Sequence, residues 1–119
     1  MRGIRGAITV EKNQKKDILK AVEKLITTML NKNKIKEKEI VSIIFTATND
    51  LDQEYPAVAV RDMGFNLIPL MCYQEMQVQD SLNKCIRAMI YINRDCGLEE
   101  ITHVYLKEAQ QLRPDLIDD

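Results

Sequence analysis

Apolar residues recur at Ile18, Leu19, Val22, Leu25, Ile26, Met29 and Leu30 with Lys, Glu and Thr between them, the spacing of an amphipathic helix of about five turns. Its single apolar stripe must lie on something flat. Elsewhere the period changes to two. From Arg2 to Val10, Ile4, Gly6, Ile8 and Val10 fall on one side and Gly3, Arg5, Ala7 and Thr9 on the other, so Arg5 projects away from the aliphatic face. From Val41 to Thr48, Ile43, Phe45 and Ala47 alternate with Ser42, Ile44, Thr46 and Thr48. Phe65 to Tyr73, Lys84 to Asn93 and Ile101 to Lys107 complete five predicted strands; in the last, Val104 and Leu106 oppose His103, Tyr105 and Lys107. The run Cys85 to Ile92 is short enough to read as helix or strand, but its β-branched content and lack of Gly or Pro favour a strand.

The connections follow from polar clusters and from Pro and Gly. Asn31 to Lys34 ends the helix, the charged run Lys34 to Glu39 reads as a solvated connection, and Asn49 to Asp52 as a turn. Tyr55 to Gly64, with Pro56 near its start and Gly64 at its end, reads as a short helix carrying Arg61 on its last turn. Gln79 to Asn83 is a turn or a short helical piece. The tail from Gln110 to Leu116 is too short, and too broken by Pro114, to build a further layer.

The inventory is one α+β domain over residues 1–119, a five-stranded mixed sheet with one long helix on one face. One helix cannot cover both faces of such a sheet. Several strands carry apolar or mixed residues on both sides, so the second face is expected to pack on another copy of the chain, with closed symmetry as the default.

Bulk properties narrow the partners. The 119 residues are 45% hydrophobic and 29% charged, as in an ordinary globular domain, and 17 Lys and Arg against 18 Asp and Glu give a net charge of −1. That balance argues against a nucleic-acid or membrane partner, so any anion site must be local. The N-terminus lacks the apolar core of a signal peptide, and Cys72, Cys85 and Cys96 form no CxxC pair or closed disulfide set, which points to the reducing cytoplasm.

The chemistry is read mostly from charge in unusual places. Glu75 follows the apolar run Leu67 to Cys72, on the turn beyond a strand ending at Tyr73, and Arg87 interrupts the apolar run Cys85 to Ile92. A guanidinium there needs a carboxylate or an anionic ligand. His103 is the sole histidine, so Cys72 with His103 is the one conceivable nucleophile and base pair, and it competes with the plainer reading of Cys72 as a small core residue. No metal-ligand spacing, GxGxxG or phosphate loop is present, so neither metal nor cofactor is implied. Arg5, Arg61, Arg87 and Arg113, with Glu75 and Tyr105, remain as a set suited to a small substrate with more than one carboxylate. Taken singly, each arginine is more often a structural ion-pair partner.

Five separated blocks sharpen this reading. Arg2-Gly3-Ile4-Arg5-Gly6-Ala7, Tyr55-Pro56-Ala57-Val58-Ala59-Val60-Arg61, Cys72-Tyr73-Gln74-Glu75-Met76, Lys84-Cys85-Ile86-Arg87, and His103-Val104-Tyr105-Leu106 followed by Leu112-Arg113-Pro114-Asp115-Leu116 together resemble the monofunctional AroH-class chorismate mutases. The resemblance implies a homotrimeric pseudo-α/β-barrel with active sites between subunits. It also implies the Claisen rearrangement of chorismate to prephenate, a step in Phe and Tyr biosynthesis that needs neither a covalent enzyme intermediate nor a proton transfer.

Carried over by position, Arg87 resembles the donor to the ether oxygen, and Glu75 the acceptor of the ring hydroxyl. Arg5 and Tyr105 correspond to carboxylate-binding groups, and Cys72 to a cysteine near the ring hydroxyl. Tyr55, Ala57 and Arg61 resemble the wall supplied by the facing subunit, and Leu112 with Arg113 the tail segment that folds over the pocket. Two substrate-side positions depart from the pattern. Val58 stands where some relatives have lysine, and Met71 is bulkier and less polar than the small residue expected before the cysteine. Two other readings share the scaffold: a trimeric module that binds small carboxylates without chemistry, and an imine-hydrolysing trimer.

Overall fold

The computed structural model describes residues 1–116. In chain order it contains β1 (Arg2–Thr9), α1 (Lys15–Lys32), β2 (Ile40–Ala47), α2 (Pro56–Asp62), β3 (Leu70–Gln74), β4 (Cys85–Ile92) and β5 (Val104–Leu106), with short 3-10 turns at Glu37–Glu39, Leu98–Glu100, Lys107–Leu112 and Pro114–Leu116. The strands form one mixed sheet in the order β3-β2-β4-β1-β5. β4 runs antiparallel to both β1 and β2, whereas the edge strands β3 and β5 pair in parallel with β2 and β1.

The α1 stripe lies on the sheet as its spacing predicts, with Ile18, Val22, Leu25, Ile26 and Met29 buried against Ile4, Ile8, Ile43, Phe45, Ile86 and Ile90. Gln14 at the helix start makes no side-chain cap. A cap contributes about 1 kcal/mol, whereas each fully buried aliphatic side chain contributes about 1.5–3 kcal/mol, so packing holds this helix in place. Gly6 permits the approach: a Cβ there would stand 2.4 Å from Met29 Sδ and 3.1 Å from Leu25 Cδ1. α2 packs into the same core through Ala57, Ala59 and Val60. Gly64 follows its C-terminus with φ +98°, the left-handed conformation that glycine adopts without strain.

Several boundaries differ from the sequence reading. β3 begins at Leu70 rather than Phe65, because Phe65 donates its N–H to Val60 to close α2 and Pro69 has none to give. β5 contains Val104–Leu106 only. The run Lys34 to Glu39 is more than a solvated connection. Glu39 accepts two hydrogen bonds from Arg94, at 2.8 and 2.9 Å, while Arg94 also donates to the carbonyls of Asn33 and Lys34 beyond the end of α1. Buried Asn33 then joins that helix end to Thr102, accepting from its N–H at 2.8 Å and donating to its carbonyl at 2.9 Å. The tail contributes more than expected as well. In the turn Lys107–Leu112, Ala109 is fully buried against Ala7 and Cys85 on the sheet face opposite α1.

Candidate active site

The register brings the predicted residues together. Tyr105, Ala7, Arg87, Thr46 and Tyr73 form one row across all five strands, and Arg5, Met89, Ile44 and Met71 form the neighbouring row across four of them. Side chains at these alternate positions share the face away from α1. A cavity of about 330 Å³ lies on that face, lined by Arg5, Ala7, Thr46, Glu75, Arg87 and Tyr105 and closed on one side by Leu112 and Arg113.

At its centre Arg87 Nε lies 3.2 Å from Glu75 Oε2, and the same oxygen accepts a 2.5 Å hydrogen bond from the Thr46 hydroxyl. Glu75 is the first residue after β3, and its N–H donates to the carbonyl of Ala47, which carries the pairing one residue past the strand. The start of β4 is pinned in turn. The Asp50 carboxylate accepts the Lys84 N–H at 3.1 and 3.0 Å, and Thr48 Oγ1 accepts the Cys85 N–H at 3.0 Å. The Arg87 side chain is 48% exposed in the single chain, so this guanidinium is half open to whatever approaches the sheet. Beside it, burial pushes the Cys85 thiol up, an effect that neighbouring Arg87 partly offsets.

Arg113 reaches the cavity already engaged, donating to both oxygens of Asp115 at 3.1 and 3.0 Å. His103 accepts the backbone N–H of Arg5 on Nδ1 at 2.9 Å, which places the proton of the neutral ring on Nε2. Burial, and then the charges of Arg5 and Arg113, hold its pKa below the ordinary histidine value. It is no base for Cys72. The imidazole lies by β5 and the thiol on β3, at opposite edges of the sheet, and Cys72 pairs in register with core-facing Phe45. Burial raises the Cys72 thiol, with the Ala57 backbone and Arg61 partly offsetting it.

A second group of predicted residues therefore stands apart from the Arg87 cavity. Tyr55 and Cys72 line a separate cavity of about 470 Å³ beside the start of α2, Ala57 is buried in that helix, and Arg61 is exposed on its last turn. This larger cavity is not the one that contains the paired charges. Met71 shares the Arg87 face but sits at its outer edge, 54% exposed. Sequence reading passed over Thr46, Ala7, Ile44 and Met89 as cavity residues. Their alternation gave the face, but only the register gives the neighbour.

Fold and cavity together define a small α+β protein with a cavity lined by Arg5, Arg87 and Arg113 on the face of its sheet away from α1. Among the described residues no cluster of His, Cys, Asp and Glu could hold a metal ion, and no helix is long and apolar enough to cross a membrane. Residues 1–116 match the family model described as chorismate mutase type I. The chain is 41% identical to chorismate mutase AroH of Bacillus subtilis over 117 residues, 98% of this chain and 92% of that protein. It is 43% identical to the Thermus thermophilus AroH over 98% of this chain and 96% of the relative. A solved chorismate mutase from Clostridium thermocellum superposes with a TM-score of 0.91 at 45% identity, covering 93% of this chain and 99% of the other. The chain belongs to the type I, or AroH-class, chorismate mutase family, and is thus an isomerase of aromatic amino acid biosynthesis.

Proposed function

We propose that chorismate rearranges to prephenate in the Arg87 cavity, completed by a neighbouring copy of the chain in a homotrimer. The observation that carries this reading is the Arg87–Glu75 pair, a half-exposed guanidinium and its carboxylate on an otherwise largely apolar sheet face. In the rearrangement an ether C–O bond breaks as a C–C bond forms, and negative charge gathers on the ether oxygen. Arg87 Nε faces Glu75, so the terminal nitrogens supply the donors to that oxygen. A preorganised donor aimed at developing charge contributes about 3 kcal/mol or more, roughly a hundredfold in rate.

Arg5 and Tyr105 bind one substrate carboxylate, and Glu75 accepts the ring hydroxyl. Gripping the substrate at several points keeps it in the compact conformation the reaction needs, which lowers the entropic part of the barrier. Leu112 and Arg113 close the cavity. The Arg113–Asp115 pair is 39% and 64% exposed, and exposed pairs contribute only about 0–1 kcal/mol, so exchange of Asp115 for a substrate carboxylate costs little.

The neighbouring copy supplies Tyr55, Ala57 and Arg61 as a facing wall, and Cys72 and Met71 are further substrate contacts. Support for the neighbour comes from the exposed apolar surface on and beside β3, where Tyr55 is 68%, Met71 54% and Tyr73 50% accessible in the single chain. The free thiols of Cys72, Cys85 and Cys96 support a cytoplasmic setting.

The test follows the loss of chorismate's ultraviolet absorbance with wild-type protein and with Arg87→Ala, both checked for a trimer by light scattering. Saturable conversion that falls at least about a hundredfold in a variant of unchanged mass supports the reading. An active Arg87→Ala protein removes the mechanism. A wild-type trimer that binds small dicarboxylates but leaves chorismate unchanged favours the non-catalytic module.

A further inference from the structure

Thr46 has no part in the roles above, yet its hydroxyl makes the shortest contact to Glu75 in the site. Thr46 and Arg87 are direct partners across the β2–β4 ladder, so their side chains leave the sheet side by side. Both converge on Glu75 Oε2, Thr46 Oγ1 at 2.5 Å and Arg87 Nε at 3.2 Å. Thr46 supplies the hydrogen bond to Oε2, and the Arg87 guanidinium stands beside that oxygen as its ion-pair partner. Among the described residues the other oxygen, Oε1, receives only the Met76 N–H at 3.3 Å. The carboxylate is therefore held unevenly, with one oxygen anchored to the sheet floor by Thr46 and the other still able to accept.

We infer that Thr46 is a positioning residue. Its hydroxyl fixes the rotation of the Glu75 carboxylate, so that Oε2 stays paired in charge with the Arg87 guanidinium while Oε1 faces a donor on the ligand. Sheet geometry makes Thr46 suited to this. A β-branched side chain on a central strand has a restricted χ1, so the hydroxyl has few other directions to point. Glu75 itself lies past the end of β3, tied to the sheet by one backbone hydrogen bond, and needs an anchor that its own strand does not provide. A hydroxyl donating to a carboxylate is stronger than a neutral pair. Acting through Glu75 and Arg87, it affects turnover more than affinity.

This role rests on the proposed parts of Glu75 and Arg87, and the experiment separates the two. Thr46→Val keeps the shape and strand preference while removing the hydroxyl; Thr46→Ser keeps the hydroxyl and removes the methyl group. Both are assayed beside Glu75→Ala and the Thr46→Val/Glu75→Ala double variant, with folding checked by circular dichroism and thermal melting. Thr46→Val is expected to lower kcat about tenfold with KM changed by less than about twofold, Thr46→Ser to stay near wild type, and Thr46→Val to add nothing in the Glu75→Ala background. Equal losses in the Val and Ser variants, or full activity in Thr46→Val while Glu75→Ala is impaired, would overturn the role of Thr46 alone. Full activity in Glu75→Ala would remove the reading of the site, and this role with it.

Discussion

Ala7 stands directly across the β1–β4 ladder from Arg87, and Tyr105 stands directly across from Ala7 on the other side. The small residue between two large ones is itself only 1% exposed, because Ala109 and Leu112 of the tail pack onto it. One methyl group thus floors the gap between Arg87 and Tyr105 and gives the tail somewhere to rest. Ala7→Leu would overfill this place. Overpacking costs about 1–3 kcal/mol, and the strain falls on the tail segment first because the sheet beneath is continuous. The expected outcome is a lower urea midpoint together with a fall in kcat/KM of about tenfold or more. A variant with wild-type kinetics would show that the tail does not need this seat.

Arg61 is exposed at the last turn of α2 and outside the Arg87 cavity of its own chain. If it acts from the rim of a neighbour's site, Arg61→Ala raises KM about tenfold while kcat stays within about twofold, the signature of an interaction made equally in ground and transition states. Steady-state kinetics on the absorbance assay distinguish this from a drop in kcat at constant KM, which would place the residue at the reacting centre.

The Glu39–Arg94 pair sets part of the acid stability. Hydrogen bonds from Arg94 hold the Glu39 carboxyl at about 2, against an ordinary value of 4.5. Below both values the folded and unfolded chains are equally protonated at this group, and above 4.5 both are ionised. The contribution is therefore complete above about pH 4.5 and is lost as pH falls towards about 2. Urea midpoints measured across that window should fall less steeply in Glu39→Gln than in wild type, since the variant has no proton to take up there. Parallel curves would contradict the assignment.

His103 gives a titration that needs no deconvolution, because the chain has 1 histidine. Its folded pKa is depressed, so the unfolded chain takes up the proton first as pH falls. The stability it contributes is present above the ordinary value of 6.5 and declines as pH drops from there towards the folded midpoint. The ring proton signals in a nuclear magnetic resonance titration should move with a midpoint below 6.5. A midpoint above it would mean that burial and the charges of Arg5 and Arg113 do not act on the ring in solution as described.

How far the sequence carries can be judged from individual residues. The α1 stripe and the alternation of β1 and β2 were plain because each is a local period, repeated enough to exclude the other, whereas β4 was read as a strand from its β-branched content and its lack of Gly or Pro. Arg87 and Glu75 were legible because charge beside an apolar run requires a partner. That Thr46 would donate to Glu75, or that Ala7 would face Arg87, was not legible. A one-residue slip in register would exchange every such neighbour, and register is set by pairing between segments far apart in the chain. The start of β3 was misread for a different reason: Phe65 and Ile68 have the composition of a strand, but their backbone is used to finish α2 and to pass Pro69. Ala109 escaped notice because a lone alanine in a polar tail carries no period at all.

The order of the sheet sets where the molecule is stiff. β4 is the middle strand, hydrogen-bonded along both edges, whereas β3 and β5 are paired on one side only. Amides on a doubly paired central strand open only in the largest fluctuations, and edge segments fray in small ones. Arg87 therefore rides on the part of the chain that should exchange its amide hydrogens last. Glu75, Met71 and Tyr105 sit on or just beyond the edges, where the backbone can yield to an arriving ligand. The cation stands on the anvil, and the groups that must adjust around it are mounted on springs.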